Sequence, residues 1–466
     1  MGRGGEAGSA AARQFHHGDR RPDARLTAMR WEALFESRRF TEAERHAAPN
    51  RNPFQIDQDR IVFARPFRRL QQKTQVHPLP FNAHIRNRLL HTLEVASVGR
   101  SLGFAVGTRL AEDLRAAGRT PDDLGYLVQA VCLAHDIGNP PFGHAGEEVI
   151  ATFMGQWLDT PGPQRELGLD DDLRFFDGNA QGFRILTRAD GYRERGGLKL
   201  TYASLGAFLK YPWGGADPRA ARDGRRGVKF NHFATERAAF EEVVATCALS
   251  GLHPRHPAVW LMEAADDITY GLADLEDAVE LQIVPYETYE ALVAPVAGVT
   301  VERLGREDTE IQKIALLRSR AIGRLIEATA AAYCDRQEAI LAGALPAGSS
   351  LVKLLELELG GAFARIAKKN SDALYFHSRK IEFEIGARDV LEKTLTVFLE
   401  ACLAYALTGG EARSMDLRPR QALSLMQDYH PKPGFSASET VRCAVDFVSG
   451  MTDNYAAYLA ARLRGL

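Results

Sequence analysis

The stretch LVQAVCLAHDIGNPPFGHAGEE (residues 127–148) begins as a helix and ends as a turn. Leu124, Leu127, Val128, Val131 and Cys132 recur at helical spacing. Gly138-Asn139-Pro140-Pro141 then stops the helix. His135 and Asp136 stand where the chain leaves helical geometry, so both side chains can turn toward one ion. Such a pair alone is more often a solvated helix terminus, so the surrounding segments decide its meaning.

Working outward, Arg86-x-Arg88-x-x-His91-Thr92-Leu93-Glu94 lies on another segment of apolar periodicity. Downstream, MEAADDITYGLADLED (262–277) supplies Asp266, Tyr270 and Asp274 at i, i+4 and i+8, which puts all three on one helix face. Taken singly, each is a core histidine or a salt-bridged helix. Three helices delivering His, His-Asp and Asp in that order are not explained that way. Val390, Leu391, Leu395, Val397, Phe398 and Leu403 also keep helical spacing, and Ser436 and Glu439 form a capping box ahead of Val441, Val445 and Phe447. Alternating strand patterns are scarce, so the expected fold is all-α.

The 466 residues exceed what one hydrophobic core usually holds, and 45% hydrophobic with 25% charged residues is ordinary for a globular chain. Residues 1–25, rich in Gly, Ala and Arg, read as a disordered tail. Polar breaks fall at 159–171, 212–228 and 344–350. The last is the expected boundary between a main domain, 26–345, and a C-terminal helical region, 346–466. The formal net charge of −2 gives no overall basic field for nucleic acid or a membrane surface, although local basic patches can still hold phosphates. Cys132, Cys247, Cys334, Cys402 and Cys443 are odd in number and lack zinc spacing, which argues against a disulfide framework. With no apolar run of about 18 residues and no leader pattern, a cytoplasmic protein is expected.

The order H…HD…D resembles the HD phosphohydrolase superfamily, in which these four side chains bind a metal. Carried over position by position, the ligands are His91, His135, Asp136 and Asp266. The fold implied is an HD-domain helical bundle with appended C-terminal helices. Two imidazoles and two carboxylates suit one divalent ion per subunit, among manganese, magnesium, iron, cobalt and nickel. Within the superfamily the chain is similar to the bacterial dGTP triphosphohydrolases and the related vertebrate dNTP triphosphohydrolase. The similarity is carried by FRRLQQKTQV (67–76), RNRLLHTLEV (86–95), AHDIGNPPFGH (134–144), GNAQGFRIL (178–186), LKYP (209–212), MEAADDITY (262–270) and SGMTDNYA (449–456).

That resemblance implies metal-dependent hydrolysis of dGTP, or of dNTPs more broadly, to deoxynucleoside and triphosphate. It makes His144 the catalytic histidine and Glu147 its acidic partner. Arg88 and Lys210 become phosphate ligands, with Tyr211 a weaker one. Gln75, Tyr270 and Asp274 become deoxyribose contacts. Arg379, Lys380 and Glu384, in FHSRKIEFEIGARDVLE (376–392), are further contacts, and the C-terminal region completes the pocket and makes oligomer contacts. His84 stays outside the metal shell, and Asp267 and Asp277 are expected in ordinary helix salt bridges. The resemblance also implies a homo-oligomer (a hexamer), nucleotide effectors in some members and single-stranded DNA as a further partner. Two competing readings are another HD phosphohydrolase, such as a 5′-nucleotidase or an alarmone hydrolase, and a catalytically weak dNTP sensor or single-strand binder. GNPPFGHxGE and MEAADDITY argue against the first. Against the second, a binder has no need of His144 and Glu147 beside an intact metal quartet.

Overall fold

A computed structural model describes residues 28–42, 50–75, 84–188, 196–220, 228–300, 305, 309–346, 348–374 and 378–465. Residues 1–25 therefore lie outside the described part. The chain is all-α, as its periodicity predicts. The first helices are α1 (Trp31–Leu34), α2 (Pro53–Val62), α3 (Arg65–Arg69), α4 (Arg88–Arg109), α5 (Ala111–Ala116) and α6 (Pro121–Ala134). Then come α7 (Gly143–Asp159), α8 (Gly178–Thr187), α9 (Tyr202–Phe208), α10 (Arg237–Thr246), α11 (Pro257–Glu280), α12 (Tyr286–Ala297) and α13 (Glu310–Cys334). The chain closes with α14 (Gln337–Leu341), α15 (Leu357–Leu374), α16 (Ser378–Leu407), α17 (Leu417–Leu425), α18 (Ala437–Ser449) and α19 (Asp453–Leu463). Among the described residues the β-type pairing is limited to three isolated bridges, Arg39 with Thr201, Thr74 with Asn87 and Gly214 with His232.

The site is positioned by the crossing of α4 and α6, which run against each other along their length. A seam of glycines explains the closeness. A Cβ on Gly103 would fall 2.7 Å from the Cα of Gly125, and one on Gly107 would fall 2.8 Å from the Cα of Pro121. With no side chains between them, the two backbones approach almost to contact, as small-residue helix faces allow. Helix α11 packs across both, burying Leu261, Ile268 and Leu272. Thr120 and Asp123 close a capping box at the start of α6, with Pro121 as first helical residue.

Two hydrophobic cores result. The first surrounds α4, α6 and α11 and also takes Phe363 and Ile366 of α15. The second joins Ile150 and Met154 of α7 to Phe230, Phe233, Leu391 and Phe398, and to Val441 and Phe447 of α18. The capping box of Ser436 and Glu439 forms as its sequence predicts. No described helix is long and apolar enough to cross a membrane.

Candidate metal centre and the adjacent His144–Glu147 pair

Helix α4 starts at Arg88, capped by Asn87, whose side chain accepts from the Leu90 amide. His91, one turn in, is thereby held at the buried end of the glycine seam. Helix α6 ends at Ala134, and His135 follows as its C-cap. The Nδ1 of His135 lies 2.6 Å from the Cys132 carbonyl. Donating there leaves the Nε2 lone pair free to face the cluster, the usual way a backbone carbonyl fixes a metal-binding imidazole. His91, His135 and Asp136 offer ligating atoms that all lie within 4.8 Å of one another. Asp266, on α11, places Oδ1 3.1 Å from His91 Nε2 and 3.8 Å from His135 Nε2, and Asp136 Oδ2 is 3.6 Å from His135 Nε2.

These spacings test whether an ion fits. Donors about 2.1 Å from one ion stand roughly 3.0–3.4 Å apart, close to the separations found. Two imidazoles and the Asp136 carboxylate form a donor group suited to a divalent metal, and Asp266 stands beside both histidines. The electrostatics agree: although burial pushes the Asp136 carboxyl up, Arg88 and the two histidines hold it well below the usual carboxylate range. Asp266 is likewise raised by burial but lowered on balance by its bond to His91 and by the nearby cations.

Arg88 lies beside the cluster, bonded to Asp136. Its Nη1 donates to Asp136 Oδ2 at 2.7 Å, while its buried Nε has no acceptor among the described residues. Asn139 Nδ2 donates to the other oxygen, Asp136 Oδ1, at 2.5 Å.

Between the HD pair and α7 the chain makes a strained turn. Phe142 is a bulky residue in the left-handed region, with φ 65°, a conformation costing about 1–3 kcal/mol. Its amide donates to Asp453 Oδ1 at 3.0 Å, and its ring meets Phe383 of α16 edge-on at 5.1 Å. Asp453 also accepts from the Thr74 amide through Oδ2 at 2.8 Å. Lys73 Nζ donates to the Asn139 carbonyl and, at 3.0 Å, to the Ser449 carbonyl. Its amine is pushed down to about 7, first by burial and then by Arg69. Residues from both ends of the chain thus hold the turn that carries the HD pair into α7.

His144 and Glu147 sit on the first turns of α7 and face each other, Nδ1 to Oε2 at 2.9 Å. The imidazole is 80% exposed, whereas Glu147 is buried. Its Oε1 accepts from the Gly178 amide at 2.8 Å, and its Oε2 also accepts from Lys229 Nζ at 3.0 Å. Gly178 is required there, because a Cβ would fall 2.7 Å from Glu147 Oε1 and collide with Asn139 Oδ1. A Cβ on Gly143, next to His144, would stand 2.6 Å from Arg88 Nη2. The pair is therefore adjacent to the guanidinium that grips Asp136.

The remaining predicted residues fall as follows. Lys210 Nζ is 3.6 Å from Glu263 Oε1 and 5.7 Å from the Tyr211 ring centroid. Burial works against its charge, yet Tyr211, Glu263, Asp266 and Asp267 raise it above the ordinary lysine value. Tyr211 is buried against Trp213, ring centroids 5.9 Å apart. Tyr270 hydrogen-bonds Asp274, whose carboxyl burial pushes up to about 8 and whose Oδ2 has no hydrogen-bond partner. Gln75 is half-buried and its Oε1 has no hydrogen-bond partner among the described residues. His84 is exposed. Asp277 forms a salt bridge, but a buried one across the fold with Arg86 at 2.5 Å and not one within its helix, and Asp267 accepts from Ser350 Oγ at 2.6 Å in place of the expected salt bridge. Lys380 and Glu384 pair with each other at 3.2 Å, and the Arg379 side chain lies outside the described residues. Sequence reasoning missed Lys229, Asp177, Lys73 and Asp453. Asp177 stands just ahead of GNAQGFRIL, and Lys73 and Asp453 lie inside motifs already singled out.

An all-α protein with a buried His/His/Asp group able to take a metal ion, beside an imidazole–carboxylate pair, is what the fold and site define. Comparison with known proteins narrows that class. The chain is 40% identical over 451 residues to the deoxyguanosinetriphosphate triphosphohydrolase-like protein of Pseudomonas aeruginosa, covering 94% of this chain and 99% of the relative. It is 36% identical over 453 residues to the protein of the same name from a Synechocystis species, again over 94% of this chain and 100% of the relative. The deoxyguanosinetriphosphate triphosphohydrolase of an Enterobacter species is 30% identical over 92% of this chain and 96% of its own length. No family model matches. On these relatives the chain belongs to the deoxyguanosinetriphosphate triphosphohydrolase family.

Proposed function

We propose that this protein hydrolyses dGTP, and other dNTPs, to the deoxynucleoside and inorganic triphosphate, using one divalent ion held by His91, His135, Asp136 and Asp266. The observation that carries the reading is the junction of the ligand cluster with the His144–Glu147 pair through Arg88, Asn139 and Gly178. Bound there, manganese, magnesium, iron, cobalt or nickel would supply charge for an α-phosphate oxygen and lower the pKa of a water. The chain's own residues do the rest. Arg88, with an Nε still lacking an acceptor, binds an α-phosphate oxygen, and Lys210 adds a second cation for the phosphates. Glu147 keeps the proton of His144 on Nδ1, so that Nε2 moves a proton at the reacting oxygens as water replaces the 5′ oxygen on the α-phosphorus. Gln75 and Asp274, each with a buried oxygen that has no partner among the described residues, hold the sugar hydroxyl, and Tyr270 walls the 2′ side. The C-terminal region supports this pocket through Phe383 and Asp453.

The test incubates the protein with a panel of dNTPs and Mn2+ and identifies the phosphate product. Free triphosphate is the expected result. Orthophosphate as product points instead to another HD-type nucleotide phosphohydrolase. Binding without turnover points to a dNTP sensor.

A further inference from the structure

We propose that Lys229, aimed by Asp177, is a positioning residue for the His144–Glu147 pair, fixing the charge and orientation that Glu147 presents to the imidazole. The inference rests on the reading of His144 as the proton carrier. Its starting point is the crowding around one carboxylate. Glu147 is buried, and both oxygens are committed: Oε1 to the Gly178 amide at 2.8 Å, Oε2 to His144 Nδ1 at 2.9 Å and to Lys229 Nζ at 3.0 Å. Lys229 is thus the second guest on the same oxygen that holds the imidazole. A buried carboxylate without a cation tends to take up a proton. A protonated Glu147 would no longer accept from His144 Nδ1, and the tautomer that leaves Nε2 available would lose its support. The ammonium of Lys229 is the first opposing influence, ahead of His144 itself.

Lys229 is itself held from two sides. Asp177 is fully buried, and its Oδ1 caps α8 through the Asn179 amide at 2.7 Å. Its Oδ2 stands 3.1 Å from Lys229 Nζ as an ion pair. The Lys229 amide donates to the Ala220 carbonyl at 3.0 Å, and its own carbonyl accepts from Trp213 Nε1 at 2.7 Å. Two residues on, Asn231 Oδ1 accepts from the Tyr211 amide at 2.6 Å. The lysine that steadies Glu147 is therefore fastened to the same short segment that presents Lys210 and Tyr211. Displacing that segment would carry Lys229 with it.

A lysine that merely neutralised buried charge would affect folding alone; one that tunes the pair must also affect the pH dependence of turnover. The experiment measures kcat and KM for dGTP with Mn2+ from pH 5.5 to 9, together with bound metal. It compares wild type, Lys229→Met, Lys229→Arg, His144→Ala and the double variant carrying Lys229→Met with His144→Ala. Lys229→Met is expected to lower kcat by about 10- to 100-fold, as residues orienting a reacting group do. KM and metal content should stay within about threefold, and the pH profile of kcat should move by at least about half a unit. Lys229→Arg, which keeps the cation, should recover most of the loss. In the His144→Ala background, Lys229→Met should cost nothing further. Wild-type kcat with an unmoved profile in Lys229→Met would overturn the proposal, as would an equal loss in both backgrounds. If Lys229→Met does not fold, Asp177→Asn, which retains a capping oxygen for α8, takes its place: a displaced profile supports the proposal and an unmoved one overturns it. Normal turnover by His144→Ala would reject the underlying reading; loss there with a normal Lys229→Met rejects only the role of Lys229.

Discussion

His256 offers a test of how α11, which carries Asp266, Tyr270 and Asp274, is fastened. The residue precedes Pro257 at the start of that helix and is fully buried. Its Nδ1 accepts from the Ala258 amide at 3.1 Å, so Nε2 carries the proton and donates to the Leu34 carbonyl at 2.9 Å. The bond from the Ala258 amide requires the neutral ring, because a protonated Nδ1 has no lone pair to accept with. Burial pushes its pKa down to about 4, against a smaller raising effect from the Leu34 carbonyl. Unfolded, the same ring titrates near 6.5. Between those values the unfolded chain binds the extra proton, so stability is fully present above pH 6.5 and is lost as pH falls toward 4. From pH 7 to pH 5 the loss is about 2 kcal/mol, and the full interval corresponds to roughly 3 kcal/mol. With about 2 cal/mol/K of unfolding entropy per residue, 2 kcal/mol moves the Tm of a chain this long by only about 2 °C. The assay must therefore be differential. His256→Asn keeps a cap for α11 but has no imidazole to titrate. The gap in Tm between wild type and His256→Asn should be widest at pH 7 and narrow by about 2 °C at pH 5. A gap independent of pH across that range would refute the neutral, buried assignment.

Four further outcomes are expected. Asp266→Ala should lose bound metal by elemental analysis and lose turnover with it; full occupancy with normal activity would remove Asp266 from the ligand set. His144→Ala should keep metal and substrate binding while kcat falls by about 10²- to 10⁴-fold, and loss of metal would make it a ligand instead. Tyr270→Ala should lower the ratio of dGTP to GTP kcat/KM by roughly ten- to a hundredfold, the value of excluding an unpaired 2′-hydroxyl; an unchanged ratio in folded protein would rule out sugar reading by this ring. Gly178→Ala should cost about 1–3 kcal/mol in denaturant unfolding and depress kcat, because the new methyl must displace Glu147 or Asn139. A variant as stable and as active as wild type would show that α8 can move away freely.

The helices and the His91, His135 and Asp136 cluster are legible because each part is written locally. His135-Asp136 sits at a helix stop, Asp266, Tyr270 and Asp274 keep a four-residue interval, and the α7 pair is three residues apart. What escaped reading is formed across distance. Lys229 leaves a loop with no periodicity, and Asp177 looks like any helix cap until its second oxygen is seen beside an ammonium. Lys73 and Asp453 had been placed in motifs, but nothing in their spacing says that both hold the turn at Asn139–Phe142. The glycine seam was written openly, Gly99, Gly103 and Gly107 recurring every fourth residue opposite Gly125. Its meaning depends on which helix lies opposite, which no single segment specifies. Asp267 had the right charge for a salt bridge, but it faces Ser350, from a loop whose course is set by tertiary packing.

The double grip of Asp453 on the Phe142 and Thr74 amides has a bearing on how the protein comes into being at the ribosome. The HD pair is synthesised within the first third of the chain, yet the turn behind it is not secured until one of the last helices has emerged. A nascent chain stopped before Asp453 leaves both amides without their carboxylate and Phe142 in a costly conformation with one support fewer. A chain cut just before Asp453 should therefore hold the turn behind the HD pair less firmly, although His91, His135, Asp136 and Asp266 have all been made.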